Sequence, residues 1–349
     1  MRVAFVSLET VHHRETETNA RLDAIADALV DRGHDVHVLC ARWWEGEHPR
    51  FDRDGISYHG VAASAGARSS FFARLPFAIR TVNPDVVHAS ATPPFQALPA
   101  AWGGTLAGVP TVLEWYDGVA GGRWAERAAT SSELVVTPSR LVSTWAREAG
   151  ADGSRVDVVP NPIDAELVRR VEPGDPTEVV YARRLDGSAN LESPLLALAE
   201  LRDREWSATV IGDGPERERY ERLAGDVRID DRVRFVGEAD RRERLAIYRG
   251  AHVFVQTARR CVFPTELLWG LAAGCVGVVE YHADSSAHEL VEGFDRGFRT
   301  TTERELTDAI VAAGELERRT YDERFERFDE RAVYDRYVET YRGLCERYG

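Results

Sequence analysis

The strictest constraint on this chain is an alternation. Short runs rich in β-branched residues recur from end to end, separated by charged amphipathic stretches. That pattern is the signature of parallel βα units. In the first half the strand candidates are RVAFVSL, DVHVLCA, ISYHGV, VVHAS, TVLEWY, LVVTPS and VDVVP. Between the first two, Leu22, Ile25, Ala26, Leu29 and Val30 fall at helical spacing over 19–32 and Gly33 follows as a stop, which completes one βαβ crossover. EVVYARRL, SATVIG, VRFVG, HVFVQTA and CVGVVEY repeat the pattern in the second half. With 349 residues the chain has room for two such units, each with its own core. A stretch with four prolines, 160–177, reads as the hinge. The expected division is an N-terminal domain over 1–165, a C-terminal domain over 177–329, and a last helix over 330–349. That helix carries an apolar stripe of Val333, Tyr337, Val338, Tyr341 and Leu344, and is expected to pack back toward the N-terminal domain. In such α/β architectures ligands bind outside the carboxyl ends of the strands, here expected in the cleft between the domains.

The formal net charge of −14 opposes general binding to nucleic acid. All 44 basic residues are arginine, so no lysine is available for catalysis or phosphate binding. Excess carboxylate with arginine in place of lysine fits a protein kept hydrated in concentrated salt, as in a halophilic archaeon; a GC-rich genome gives the same arginine bias. Cys40, Cys261, Cys275 and Cys345 lie far apart with no C-x-x-C spacing, which argues against a disulfide framework or zinc site and suits a reducing cytoplasm. The chain opens on a strand-like run without a charged-then-apolar leader, so no signal peptide is expected. The longest apolar stretch, 267–279, is short and broken by glycines, and reads as buried helix then strand.

Gly212-Asp213-Gly214-Pro215 follows the strand SATVI and precedes a charged helix. Glycines there serve either a close ligand approach or simply a tight βα turn. The order VIGDGPERERYERLAG, DRVRFVGEADRRERLAIYRGAHVFVQTA, TELLWGLAAGCVGVVEY and SSAHELVEGFDRGF resembles the C-terminal domain of the GT-B glycosyltransferases of family four. RVAFVSL, DRGHDV, NPDVVHAS, GVPTVLEWYDG, VVTPS and VVPNPID match that family's N-terminal landmarks, so the resemblance covers essentially the whole chain. It implies two Rossmann-like α/β domains facing a central cleft. It further implies transfer of a sugar, with retention, from a nucleotide diphosphate sugar on the C-terminal domain to an acceptor on the N-terminal one. A glycan or polyprenyl-phosphate-linked acceptor in surface glycan assembly or protein glycosylation is the expected class. Such enzymes usually need no metal or other cofactor, because protein cations and helix N-termini hold the leaving diphosphate.

Carried over residue by residue, the family's G-R-L falls on Arg183, Arg184 and Leu185, with Arg184 in the arginine position. A guanidinium there bridges phosphate oxygens; a surface ion pair is the plainer reading. The family's next cation, a lysine, falls on Ala189, and Arg183, Arg259 and Arg260 are the candidates to replace it. The family's two glutamates fall on Cys261 and Trp269, neither able to act as a carboxylate. Glu266 is the nearest acid, expected either to bond ribose hydroxyls beside a capping Thr265 or merely to favour the helix dipole. Glu289 matches an acidic position of the motif and is a further donor contact.

On the acceptor side, Tyr116 and Asp117 stand where relatives carry a His-Asp pair. They are the expected catalytic positions, with Asp117 orienting a sugar hydroxyl or serving only as a turn residue before Gly118. The loop LETVHHRETETN offers His13 and Glu15 as acceptor contacts; its adjacent histidines lack a fixed third ligand for a metal. From Gly55 to Pro84 there is no acid, yet Arg68, Arg74 and Arg80 lie among Phe71, Phe72, Leu75, Phe77, Ile79 and Val82. Residues 68–82 are either a core-packed helix with solvent arginines or a basic aromatic patch making peripheral contact with an anionic membrane. Two rivals to a transferase stand: a catalytically silent binding relative, suggested by Ala189, Cys261 and Trp269, and a GT-B sugar-nucleotide epimerase.

Overall fold

The computed structural model describes residues 1–46, 48–118 and 122–348. The chain divides into one unit of 1–160 with 331–349 and a second of 161–330.

The first unit is built on an eight-stranded sheet: β1 (Arg2–Val6), β2 (Asp35–Ala41), β3 (Arg50–Arg53), β4 (Ile56–Ala62), β5 (Val86–Ser90), β6 (Thr111–Glu114), β7 (Leu134–Thr137) and β8 (Val156–Val158), in the order β3-β4-β2-β1-β5-β6-β7-β8. Every pairing is parallel except β3 with β4. β1 is flanked by β2 on one side and β5 on the other, so the chain reverses direction there and opens a crevice at the carboxyl ends. The crossover from β1 to β2 is the helix Glu17–Asp31. Its start is fixed by Thr16, whose side chain accepts from the Asn19 N–H, and its end by Gly33 at φ 75°.

The second unit holds β9 (Thr177–Ala182), β10 (Ala208–Ile211), β11 (Val233–Gly237), β12 (Ala251–Gln256), β13 (Arg260–Cys261), β14 (Val276–Glu280), β15 (Asp284–Ser285) and β16 (Gly297–Thr300). Six form a parallel sheet in the order β11-β10-β9-β12-β14-β16, and β13 pairs separately with β15. Here the reversal lies between β9 and β12.

One boundary falls elsewhere than the composition indicates. Residues 161–165 pack with the second unit: the Ile163 N–H donates to the Phe328 carbonyl at 2.8 Å, and the side chain is buried in the second core. The same stretch is tied to the second unit by the Ala165 N–H, which donates to Asp329 Oδ2 (3.2 Å), and by the Ile163 carbonyl, which accepts from the Glu330 N–H (2.9 Å). The helix Glu330–Tyr348 packs in the first unit, burying Val333, Tyr334, Tyr337, Val338, Tyr341 and Leu344 against Val3, Phe5, Leu29 and Val86. Each such side chain contributes about 1.5–3 kcal/mol by leaving water.

Tyr337 and Tyr341 also reach a buried polar network. Glu114 at the end of β6 accepts from Arg21 Nε (2.8 Å), Tyr337 Oη (3.0 Å) and, on its other side, faces His88 Nε2 (3.1 Å). Arg21 Nη2 donates to Tyr337 Oη and the Val159 carbonyl, and His88 Nδ1 lies 2.5 Å from Tyr341 Oη. Side-chain exposure is 5% for Arg21 and zero for Glu114 and His88.

Candidate active site

In the second unit, three strand ends converge. Arg183, Arg184 and Leu185 leave β9, the Gly212–Gly214 turn leaves β10, and Thr257–Arg260 leave β12. The glycines are needed for backbone packing. The Leu185 N–H donates to the Asp213 carbonyl (2.9 Å) and the Glu216 N–H to the Leu185 carbonyl (2.9 Å). A Cβ on Gly212, at φ 120°, would press on the Arg183 carbonyl, and one on Gly214 on the Leu185 carbonyl, each closer than 3.0 Å. The turn thus holds the cationic strand end in place.

Arg183 Nη2 donates to Ser188 Oγ (3.0 Å) and to the Arg260 carbonyl (2.8 Å), which folds it over the loop. Arg184 is exposed, and among the described residues its guanidinium makes no hydrogen bond or ion pair, with the Asp186 carboxylate as an electrostatic neighbour at the strand's carboxyl end. Ala189, in the lysine position, is wholly buried in the core. The next residue, Asn190, sits at φ 55°, and its Oδ1 accepts from Arg259 Nη2 at 3.0 Å. A guanidinium from the end of β12 therefore stands beside the position where the lysine is missing. Asn190 Nδ2 in turn donates to the Thr257 carbonyl (3.0 Å) and Glu280 Oε2 (3.1 Å), with His282 Nε2 3.5 Å from Glu280 Oε1. Sequence reading passed over Asn190, Thr257, Glu280 and His282. Thr257, Glu280 and His282 share one signal, a polar residue at or just past the carboxyl end of an apolar strand; Asn190, eight residues beyond β9, carries none.

The remaining donor candidates lie apart from this cluster in their bonding. Both oxygens of Glu266 are taken, one by Arg244 Nη1 (2.6 Å) and one by Tyr248 Oη (2.6 Å). Thr265 does not cap: Pro264 occupies the N-cap position, Thr265 is the first helical residue, and its Oγ1 accepts from Asn161 Nδ2 (2.9 Å). Trp269 is core, with Arg241 over its ring at 4.9 Å, and Cys261 is buried in β13. Glu289 is partly exposed on the single turn His288–Val291.

In the first unit, Gln96 ties the ends of β1 and β5 together: its Oε1 accepts from the Leu8 N–H (2.8 Å) and its Nε2 donates to the Ser90 carbonyl (3.0 Å). Asp117 is partly exposed and its Oδ1 accepts from the Gly118 N–H at 2.6 Å, the geometry of a turn aspartate. Tyr116, expected to face a ligand beside it, is instead buried, with Arg21 5.6 Å from its ring centroid; β6 ends at Glu114, and the chain beyond it folds Tyr116 into the core. His13 Nδ1 accepts from the Thr10 N–H (3.1 Å), burial lowers the ring's pKa, and Nε2 is buried without a hydrogen-bond partner among the described residues, so the ring is not presented to a ligand. Its neighbour His12 turns away to stack on Trp43, 4.0 Å between centroids, so the two rings do not converge. Glu15 is exposed. Among the described residues no group of three His, Cys, Asp or Glu side chains is placed to hold a metal ion.

A small cavity under this loop is lined by Phe5, Ser7, Thr10, Asn19, Leu22, Asp23 and Tyr58. Burial, reinforced by Asp27, pushes the Asp23 carboxyl up to about 6. A raised carboxyl pKa means the fold favours the protonated form. Its contribution to stability is present below the unfolded value near 4 and is lost as pH rises through about 6. Asp23→Asn is therefore expected to raise stability at pH 7.5, by about 1–2 kcal/mol after allowing for partial solvent screening, and to change nothing at pH 4. Thermal melts at the two pH values check this.

Two parallel α/β units, each with a reversal in strand order and one with a cationic strand end, define a Rossmann-like nucleotide-handling architecture. The comparisons with known proteins carry this to a family. Residues 19–167 match the model described as Glycosyltransferase Family 4, and 163–330 match Glycosyl transferases group 1. Together they span most of the chain, which belongs to the glycosyltransferases built from these two domains. No curated protein matches by sequence. Among solved structures, HepE from Anabaena in complex with UDP is similar at TM-score 0.75 and 17% identity, over 99% of this chain and 100% of that one. Sucrose-phosphate synthase from Thermosynechococcus elongatus aligns at 0.72 and 16%, over 98% of each chain. The lipopolysaccharide outer core galactosyltransferase WaaB, in its apo form, aligns at 0.73 and 16%, over 97% of this chain and 98% of that one. These neighbours share the GT-B fold.

Proposed function

We propose that this glycosyltransferase moves a sugar from a nucleotide diphosphate donor, with retention, to a glycan or polyprenyl-phosphate-linked acceptor. The observation that carries the donor half is the cationic reversal point: Arg184 unpaired at the end of β9, flanked by Arg183 and by Arg259 against Asn190. Charge-assisted bonds from these guanidinium groups neutralise a leaving diphosphate without a lysine. That HepE is solved with UDP supports a uridine nucleotide as the first donor to try. Retention is the expected outcome if the acceptor enters on the face that the diphosphate leaves, where the departing phosphate takes the acceptor's proton and no strong base is required. The acidic, lysine-free surface supports operation in a high-salt cytoplasm.

The test is isothermal titration of UDP- and GDP-sugars into the full chain, wild type and Arg184→Ala. The wild type is expected to bind one donor class, and the variant about tenfold or more weaker. No donor bound by the wild type, or equal affinity in the variant, overturns the donor assignment.

A further inference from the structure

Among the described residues, no helix is long and apolar enough to cross a membrane. The helix Arg68–Val82 buries Phe71, Leu75, Ile79 and Val82, as a core-packed helix does. Its other face is not accounted for by that packing. Phe77 is 67% exposed, and on the neighbouring helices Ala97–Ala107 and Arg123–Thr130 Trp102 is 54% and Trp124 44% exposed, with Leu106 also outward. Phe72 joins these helices, its ring 5.6 Å from Trp102 and 6.2 Å from Trp124. A soluble surface rarely spends two tryptophans and a phenylalanine on one exposed area.

The charge around these rings is as unusual as the rings. The three helices carry Arg68, Arg74, Arg80, Arg123 and Arg127, against Glu126 as their one carboxylate. From Gly55 to Leu113 the sequence has a single acid, Asp85, and its Oδ2 is taken by the Arg2 N–H. In a chain of net −14, this is a local reversal of sign. Arg80 Nη1 donates to the Leu106 carbonyl (2.7 Å), and Arg127 lies over the Trp124 ring at 5.8 Å, so cations and apolar tips are interleaved on one face.

We propose that the outer faces of these three helices form a docking surface for an anionic lipid bilayer. Indole and phenyl rings enter the headgroup boundary while the guanidinium groups, stems laid along the apolar surface, pair with lipid phosphates. The negative field of the rest of the protein would repel such a membrane, so the arginines are what permits approach in this one orientation. The helix bearing Trp124 is the next described element after β6, whose carboxyl end leads to Asp117, so a bilayer seated here lies beside the carboxyl edge of the first sheet. The surface acts independently of the transfer reaction.

Flotation of the full chain with vesicles tests it, using phosphatidylcholine alone and phosphatidylcholine mixed equally with phosphatidylglycerol, without donor or acceptor. The wild type is expected to float only with the anionic vesicles, and less as salt is raised. Two variants follow: Phe77→Ser/Trp102→Ser/Trp124→Ser and Arg68→Glu/Arg74→Glu/Arg123→Glu. The arginine variant is expected to melt as the wild type, and each variant to lose about tenfold or more of the partitioning. Absence of flotation by the wild type, or equal flotation by both variants, overturns the proposal. So does a self-association in sedimentation velocity that the serine variant abolishes while vesicles stay unbound, which would make the face an interface between copies. None of these outcomes bears on donor titration.

Discussion

Glu114→Ala is expected to cost about 3–5 kcal/mol, because it strands Arg21 as an unpaired charge in the core of the first unit. Burial works against the Glu114 carboxylate, but Arg21 and His88 outweigh it and hold its pKa below the ordinary range. The matched loss at Arg21→Ala leaves the carboxylate alone with a histidine and a tyrosine. Replacing both partners at once, Arg21→Met with Glu114→Leu, removes the buried charges together and is expected to recover most of the loss. Calorimetry of the single and double variants reads this directly. A single substitution that costs under about 1 kcal/mol would show that the pair carries no structural load. The acid limb follows the same logic. A depressed carboxyl pKa contributes stability above the unfolded value and loses it as pH falls through the folded one, so wild type but not Glu114→Gln should show this component of acid unfolding.

The second large effect is expected at Gly212. Gly212→Ala forces a Cβ onto the Arg183 carbonyl at φ 120°, and Gly214→Ala does the same at Leu185. Each is expected to cost roughly 3 kcal/mol or more in the second unit and to weaken donor binding with no charge removed, because the strand end bearing Arg184 must shift. Gly187→Ala is the control in the same loop: nothing lies within 4 Å of its Cβ and its φ is ordinary, so stability should be unchanged within about 0.5 kcal/mol. Thermal melts with donor titration of the three variants separate the roles. If Gly212→Ala melts like the wild type, the tight packing of the two strand ends is not what requires glycine.

The fold class was legible because parallel strands buried on both faces leave continuous apolar runs, and helices between them leave a periodic stripe; β1, β2, β5 and β9 are plain on that basis. Edge strands were harder. β3, RFDR, is wholly exposed and alternates nothing apolar, and β16, GFRT, carries too little side-chain signal to separate from a loop. The candidate site was legible only as far as local motifs reach. Arg183 and Arg184 stand in line with their strand, but Arg259 meets Asn190 across 69 positions of sequence. The Glu114 network was illegible for the same reason. Arg21 is one of many arginines on an amphipathic helix, and only tertiary structure brings it to a carboxylate 93 residues away and a tyrosine 316 away. Glu266 failed in the opposite way: its position at a helix start suggested availability, while Tyr248 and Arg244, one helix upstream, had already claimed it.

The placement of Tyr337 and Tyr341 has a consequence for biosynthesis. Made in order from the ribosome, residues 1–160 emerge with Glu114, Arg21 and His88 poised to be buried, yet the hydroxyls that complete their bonding are translated only after residues 161–330. Residues 161–330, by contrast, form a unit continuous in sequence. The nascent chain is thus expected to mature out of translation order, its earlier half waiting, open to chaperones and proteases, until the final helix arrives.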